Sequence, residues 1–273
     1  MVVRSYAQVD VFGDGVGHGN PVAVVVDGEG LKDAELQRFA NWTNLAETTF
    51  LLPPTQPGAD YRVRIFTTSR ELPFAGHPTL GSAHAWLAAT GGHDRQRVVQ
   101  ECDAGLIELC RVDDRLAFAA PPLVRSGPLD DATLGNVVTM LGIQRAEVLD
   151  HAWTDNGPGW ASVLLSSADR VLALTPEPGR ASEVGVVGLH PDGTPELRAF
   201  VTDVGVLEDP VTGSLNAGVA EWLLGTRVLT APYVAHQGTA LGRRGRVHVE
   251  RDADGTIWVG GQTRTIIFGT VDL

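Results

Sequence analysis

One stretch of this chain occurs twice. Pro73-Phe74-Ala75-Gly76-His77-Pro78-Thr79-Leu80-Gly81-Ser82-Ala83 precedes Leu87, and Pro210-Val211-Thr212-Gly213-Ser214-Leu215-Asn216-Ala217-Gly218-Val219-Ala220 precedes Leu224. Every identity, at Pro, Gly, Gly, Ala and Leu, falls at a constant offset of 137 residues. Just upstream, Arg64-Ile65-Phe66-Thr67-Thr68 and Arg198-Ala199-Phe200-Val201-Thr202 share the pattern R-x-F-x-T at an offset of 134. A strand, a loop, a glycine turn and an apolar helix thus recur in the same order, the mark of a duplicated unit. The chain has 273 residues, so the offset is about half its length. That predicts two similar halves, 1–120 and 121–273, meeting near Ala119-Ala120-Pro121-Pro122, with the last strand free to return to the first half.

Short runs rich in Val, Ile and Phe, bounded by Gly, Pro or Asp, predict strands at 4–12, 21–27, 47–52, 60–67, 97–102, 106–111, 115–119, 146–152, 160–165, 184–189, 196–202, 245–250, 256–260 and 264–271. Helices are expected at 33–43, where Leu36, Phe39 and Ala40 form a stripe and Asp33 stands at the start, and at 78–89, 130–141 and 214–224. Strands arriving in runs, without strict alternation with helices, predict an α+β fold with mostly antiparallel pairing.

Lys plus Arg number 21 against 33 Asp plus Glu, a net charge of −12, which disfavours nucleic acid or an anionic membrane as partner. The longest apolar runs, such as Val22-Ala23-Val24-Val25-Val26, are strand-sized, and the first ten residues lack the basic start and long apolar stretch of a signal peptide; a cytoplasmic protein is expected. Lys32, in a polar loop before a helix, is the sole lysine, which argues against Schiff-base and pyridoxal-phosphate chemistry. Cys102 and Cys110 flank the turn Asp103-Ala104-Gly105 and read as buried free thiols.

Several signals fail on inspection. Gly13-Asp14-Gly15-Val16-Gly17-His18-Gly19 imitates a dinucleotide loop, but His18 takes the third glycine position and Pro21 begins a strand; a flexible hairpin loop is expected. No H-E-x-x-H, paired C-x-x-C or close His/Asp cluster supplies metal ligands, so no metal is expected, and no G-x-S-x-G elbow supplies a nucleophile. Arg243-Arg244-Gly245-Arg246 reads as a solvated face, although an arginine there can hold a carboxylate, and His84 as a packing or surface residue.

The repeat itself carries chemistry. Gly76-His77 stands before Pro78, expected at the first helical position, and Gly213-Ser214 before Leu215. Free N–H groups at such helix starts suit a carboxylate or oxyanion. Asp209 immediately precedes the second turn, His77 lies within the first, and Glu47 opens an apolar strand, where desolvation would tune it for moving protons. Plain helix caps and an exposed helix-end carboxylate are the structural alternatives.

At Gly76-His77-Pro78-Thr79-Leu80-Gly81, Glu208-Asp209-Pro210-Val211-Thr212-Gly213-Ser214 and Asn44-Leu45-Ala46-Glu47-Thr48-Thr49-Phe50, the chain resembles the PhzF (phenazine biosynthesis isomerase) family. Asp10-Val11-Phe12, Gly19-Asn20-Pro21-Val22-Ala23-Val24, Gln237-Gly238 and Gly242-Arg243 extend the likeness in family order over nearly the whole chain. The resemblance implies a diaminopimelate epimerase-like fold: two pseudo-symmetric halves, each a barrel-like curved sheet around a central helix, with the active site in the cleft between them. It also implies a cofactor-independent isomerase, commonly a homodimer, acting on a small carboxylic acid. Glu47 would be the principal acid/base, with His77, Asp209 and Ser214 as hydrogen-bonding or relay groups and the N–H groups of Gly213 and Ser214, like the turn at Gly76, holding the substrate. Epimerases of this fold place cysteines at the two turns; here they hold His77 and Ser214, so two-thiol racemisation is not available. An epimerase with two non-cysteine bases and a non-catalytic carboxylate-binding protein are the competing readings.

Overall fold

The helical stripes become helices because each has an apolar surface to bury. In the computed structural model, which describes residues 2–177, 181–201 and 207–273, α1 (Asp33–Thr43) buries Leu36, Phe39 and Ala40 against Val25, Phe50 and Phe66. Its cap is Lys32, not Asp33: the backbone N–H of Lys32 donates to Glu35 at 2.9 Å, while Asp33 is the first helical residue and pairs with Arg64 at 2.7 Å. α2 (Gly76–Thr90), α3 (Asp131–Leu141) and α5 (Gly213–Gly225) follow the remaining stripes. Pro78 is the third residue of α2, not the first, and still lies in the turn where no N–H is needed for the helix. A five-residue helix, α4 (Ala168–Leu172), is too short to show periodicity; the Ser167 hydroxyl caps it by accepting from Arg170 N–H.

The strands are β1 (Val3–Val11), β2 (Asn20–Val25), β3 (Glu47–Leu52), β4 (Tyr61–Phe66), β5 (Glu71–Leu72), β6 (Arg97–Cys102), β7 (Gly105–Val112) and β8 (Arg115–Ala119). Then come β9 (Asp150–Trp153), β10 (Ala161–Leu164), β11 (Glu183–Leu189), β12 (Pro195–Val201), β13 (Glu208–Asp209), β14 (Tyr233–Gln237), β15 (Gly245–Arg251), β16 (Ile257–Gly261) and β17 (Thr263–Asp272). The strand expected at 146–152 begins only at Asp150, because Arg145–Glu147 forms a 3-10 turn in which Glu147 accepts from the Gln144 N–H. Thr202, the last repeat match and the end of the strand expected at 196–202, lies outside the described residues.

The chain divides into two compact units, Met1–Ala119 with Gly260–Leu273, and Ala120–Val259. The last strand, β17, belongs to the first unit and pairs antiparallel with β1. In the first unit, β1–β2 and β3–β4 are antiparallel, while β2–β3 and β4–β6 are parallel. In the second unit, β9–β10 and β11–β12 are antiparallel, while β10–β11 and β12–β14 are parallel. Parallel neighbours need a crossover, and α1, α2, α4 and α5 supply the four. The fold is α+β and is not a closed barrel. In the first unit α2 packs against β1, β2, β3, β4, β6, β8 and β17. Being apolar on nearly every side, α2 and α5 are both enclosed helices rather than amphipathic surface ones.

The duplication is visible as chemistry. Arg64 grips Glu71 through Nε and Nη2, both at 2.6 Å, and lies over Phe66; Arg198 grips Glu208 at 3.0 and 2.7 Å and lies over Phe200. In each unit that glutamate pairs in register with the phenylalanine, Phe66 with Glu71 and Phe200 with Glu208. A buried glutamine also recurs at the 137 offset: Gln100 bonds Thr79 on α2, and Gln237 bonds Asn216 on α5. The matched Gly81 and Gly218 are close-approach points, since a Cβ would come 2.3 Å from Val22 at the first and 2.1 Å from the Thr154 carbonyl oxygen at the second.

The second arginine pair is the more buried, with side chains 7% exposed on both partners against 23% and 28% in the first. Removing one partner from a buried pair strands the other charge. Glu208→Gln is therefore expected to destabilise the chain by about 3 kcal/mol, and Glu71→Gln by about 1 kcal/mol, read from urea unfolding midpoints. Equal losses would show that burial does not set the difference.

Candidate active site

In the first unit the strand start and the helix start bring Glu47 and His77 together. Glu47 opens β3, and His77 is the second residue of α2. His77 Nε2 lies 3.2 Å from Glu47 Oε2, close but off the line of a straight hydrogen bond. The Asn20 amide nitrogen is 3.2 Å from His77 Nδ1, and because that amide nitrogen only donates, Nδ1 accepts and a neutral ring carries its hydrogen on Nε2, facing the carboxylate. Burial lowers the His77 pKa to about 3. At neutral pH the ring is thus an uncharged donor, poorly suited to serve as a base. The N–H groups of Gly76 and His77, in the first helical turn, have no acceptor within the helix.

This burial has a pH signature. The unfolded chain binds a proton on His77 near the ordinary 6.5, whereas the folded chain does so only near 3. The unfolded state therefore holds more protons between those values, and stability is lost as pH falls through that window, by up to about 1.4 kcal/mol per pH unit from this group. His77→Gln is expected to flatten the decline of the unfolding midpoint between about pH 6 and about pH 5. Wild-type and variant curves that fall in parallel would contradict it.

In the second unit Asp209 ends β13 and Ser214 is the second residue of α5. The Thr212 hydroxyl donates to Asp209 Oδ2 at 2.5 Å, and Gln237 donates to the Asp209 carbonyl oxygen and to Thr212 Oγ1. Gln237 Oε1 accepts from the Thr212 N–H and from the Asn216 amide, so one fully buried side chain fixes both the loop and the helix start. Trp160 Nε1 donates to Ser214 Oγ at 3.0 Å, and an indole nitrogen only donates, so the serine hydrogen is left to point elsewhere. Asn156 donates to the Ser214 carbonyl oxygen at 2.9 Å. Gly213 and Ser214 present the same first-turn N–H groups as Gly76 and His77.

Sequence reading did not single out Trp160, Asn156, Thr212, Asn216 or a role for Asn20 and Gln237. Asn20 and Gln237 lay inside quoted motifs, but only folding shows what their amides touch. The glycine loop is not a slack hairpin: the buried Asp10 carboxylate accepts from the N–H groups of Gly17 and Gly19. His84 bonds Thr263 and Thr265 of β17, and Cys102 and Cys110 are free thiols, buried and partly buried respectively. Arg243 is partly buried. Among the described residues no helix is long and apolar enough to cross a membrane.

A family model described as phenazine biosynthesis-like protein (PhzC-PhzF) matches residues 9–269. Antisense-enhancing sequence 1 of Schizosaccharomyces pombe is 35% identical, the match covering 98% of this chain and 99% of that protein. A trans-2,3-dihydro-3-hydroxyanthranilate isomerase of Pseudomonas fluorescens is 34% identical over 88% of each chain. Among solved structures, a PhzF family protein of Enterococcus faecalis shares the fold, with a TM-score of 0.80 at 24% identity over the full length of both chains. With a match of this extent to the family model, the chain belongs to the phenazine biosynthesis-like, PhzC-PhzF family.

Proposed function

We propose that this chain is an isomerase that moves a proton within a small cyclic or unsaturated amino or hydroxy carboxylic acid, using its own side chains and no cofactor. Glu47 is the acid/base: it takes a proton from an activated carbon, exchanges it with solvent at its partly exposed carboxyl, and delivers a solvent-derived proton to another carbon of the same molecule. The observation that carries this reading is the Glu47–His77 pair. A buried neutral imidazole packs beside the carboxylate, with Nε2 3.2 Å from Glu47 Oε2, and limits where it can move without surrendering a proton of its own. His77 is then a positioning residue. Gly76, Gly213 and Ser214 offer helix-start N–H groups to negative charge, Ser214 adds a hydroxyl donor, and Asp209 is a hydrogen-bonding or relay carboxylate. A homodimer is the assembly that goes with this reading, and Ile266, Ile267 and Phe268 leave an exposed apolar row on β17 for it.

An epimerase pairing Glu47 with His77 as second base loses support from the low His77 pKa. The test is proton NMR in D2O with cyclic unsaturated amino and hydroxy acids, beginning with trans-2,3-dihydro-3-hydroxyanthranilate because a relative is named for it. A double-bond shift with deuterium at a new carbon is expected. Inversion at one carbon would mark an epimerase instead, and binding by thermal shift without any exchange would mark a binding protein.

A further inference from the structure

Strand pairing in the second unit assembles a constellation that linear spacing conceals. Glu196 on β12 stands in register beside His236 on the parallel strand β14, and opposite Gly188 on the antiparallel strand β11. His190 lies two residues beyond Gly188, in the turn closed by its N–H donating to the Thr194 carbonyl oxygen at 2.8 Å, so strand alternation returns its side chain to the Glu196 face. His190 Nε2 is 3.1 Å and His236 Nδ1 3.9 Å from Glu196 Oε2, and the three ligand atoms lie within 4.8 Å of one another.

We propose that His190, Glu196 and His236 form a binding site for a divalent transition metal of the zinc class. Two imidazoles and one carboxylate are a donor set such ions favour, with remaining positions open to water. Bonds of about 2.0–2.2 Å place tetrahedral ligand atoms about 3.3 Å apart; one separation is already slightly shorter, and rotation of the two partly exposed histidine rings closes the others.

A second observation points the same way. Glu196 is 1% exposed, and its Oε1 has no hydrogen-bond partner. A buried carboxylate oxygen left so is costly, and bidentate coordination would supply its partner. Arg246, the register partner of His236 on β15, opposes a cation there, while Asp192 in the turn acts on His236 with the opposite sign.

The site is distinct from the proton-transfer residues. His236 and Gln237 are successive strand residues on opposite faces, and Gln237 faces α5. Glu196 precedes Ala199, the register partner of Asp209, by three residues, about 10 Å along the strand. Bound metal would therefore clamp the β11–β12 turn to β14 from the far side of the sheet.

The test is isothermal titration of chelator-stripped full-length protein with ZnCl2, alongside His190→Ala, His236→Ala and Glu196→Gln. Wild type is expected to bind one zinc per chain with a rise in Tm. Either histidine variant, checked as folded by circular dichroism, should bind at least about tenfold more weakly, with the Tm rise lost. Since Glu196 is buried and its variant can fail to fold, the two histidine variants decide the matter. Absence of zinc binding by wild type, or binding by both histidine variants as tight as that of wild type, overturns the proposal.

Discussion

Gly218→Ala is expected to destabilise the chain by about 2–3 kcal/mol or more, although alanine is the better helix former by about 1 kcal/mol. The helix α5 passes so close to Thr154 that the new methyl would sit 2.1 Å from a carbonyl oxygen and 3.0 Å from its carbon. Backbone cannot rotate away as a flexible side chain can. Leu215, on the same helix, packs so tightly over Gly185 on β11 that a Cβ there would come 2.3 Å from it, so a shift of α5 to relieve one contact strains another. Gly225, the last residue of α5, has nothing within 4 Å of its own Cβ position. Gly225→Ala should therefore leave stability unchanged or raise it by up to about 1 kcal/mol. Urea unfolding of both variants checks the contrast, and similar midpoints would show that α5 is not held by close approach. On the proposed reading the loss also bears on function, because the same helix start positions Ser214 and, through Asn216 and Gln237, the Asp209 loop.

The matched glycines show why so much of the fold was legible. A duplicated strand–turn–helix leaves identities where geometry admits few residues: Gly81 and Gly218 at close contacts, Gly76 and Gly213 at helix starts. The α1 stripe could be read because Leu36, Phe39 and Ala40 are spaced for one face. What escaped depended on contacts made only after folding. β14 shows no strong apolar run, with three of its five residues partly exposed, yet it brings in Gln237 and His236. Trp160 and Asn156 reach Ser214 across more than fifty residues. His190, Glu196 and His236 form no local motif at all, and α4 is too short to display a period.

The other large effect is catalytic. On the proposed reading, Glu47→Gln keeps the size of the side chain beside His77 but removes the group that accepts a proton. Isomerisation should fall by about a thousandfold, within the range for loss of a general acid/base. His77→Gln should act differently. It leaves Glu47 able to accept a proton but takes away the buried ring beside it, so a smaller loss is expected, of about tenfold to a hundredfold. Substrate binding should be little altered in Glu47→Gln, since the groups proposed to hold the anion are backbone N–H groups. A binding protein without turnover would respond to neither change in rate.

The decisive measurement is deuterium incorporation from D2O, followed by NMR on an acid that the wild-type protein converts, with Glu47→Gln measured beside it under binding saturation. Wild type is expected to place deuterium at the carbon that gains a proton, and Glu47→Gln none above background. Incorporation by Glu47→Gln at the wild-type rate would contradict it and move the base to another residue.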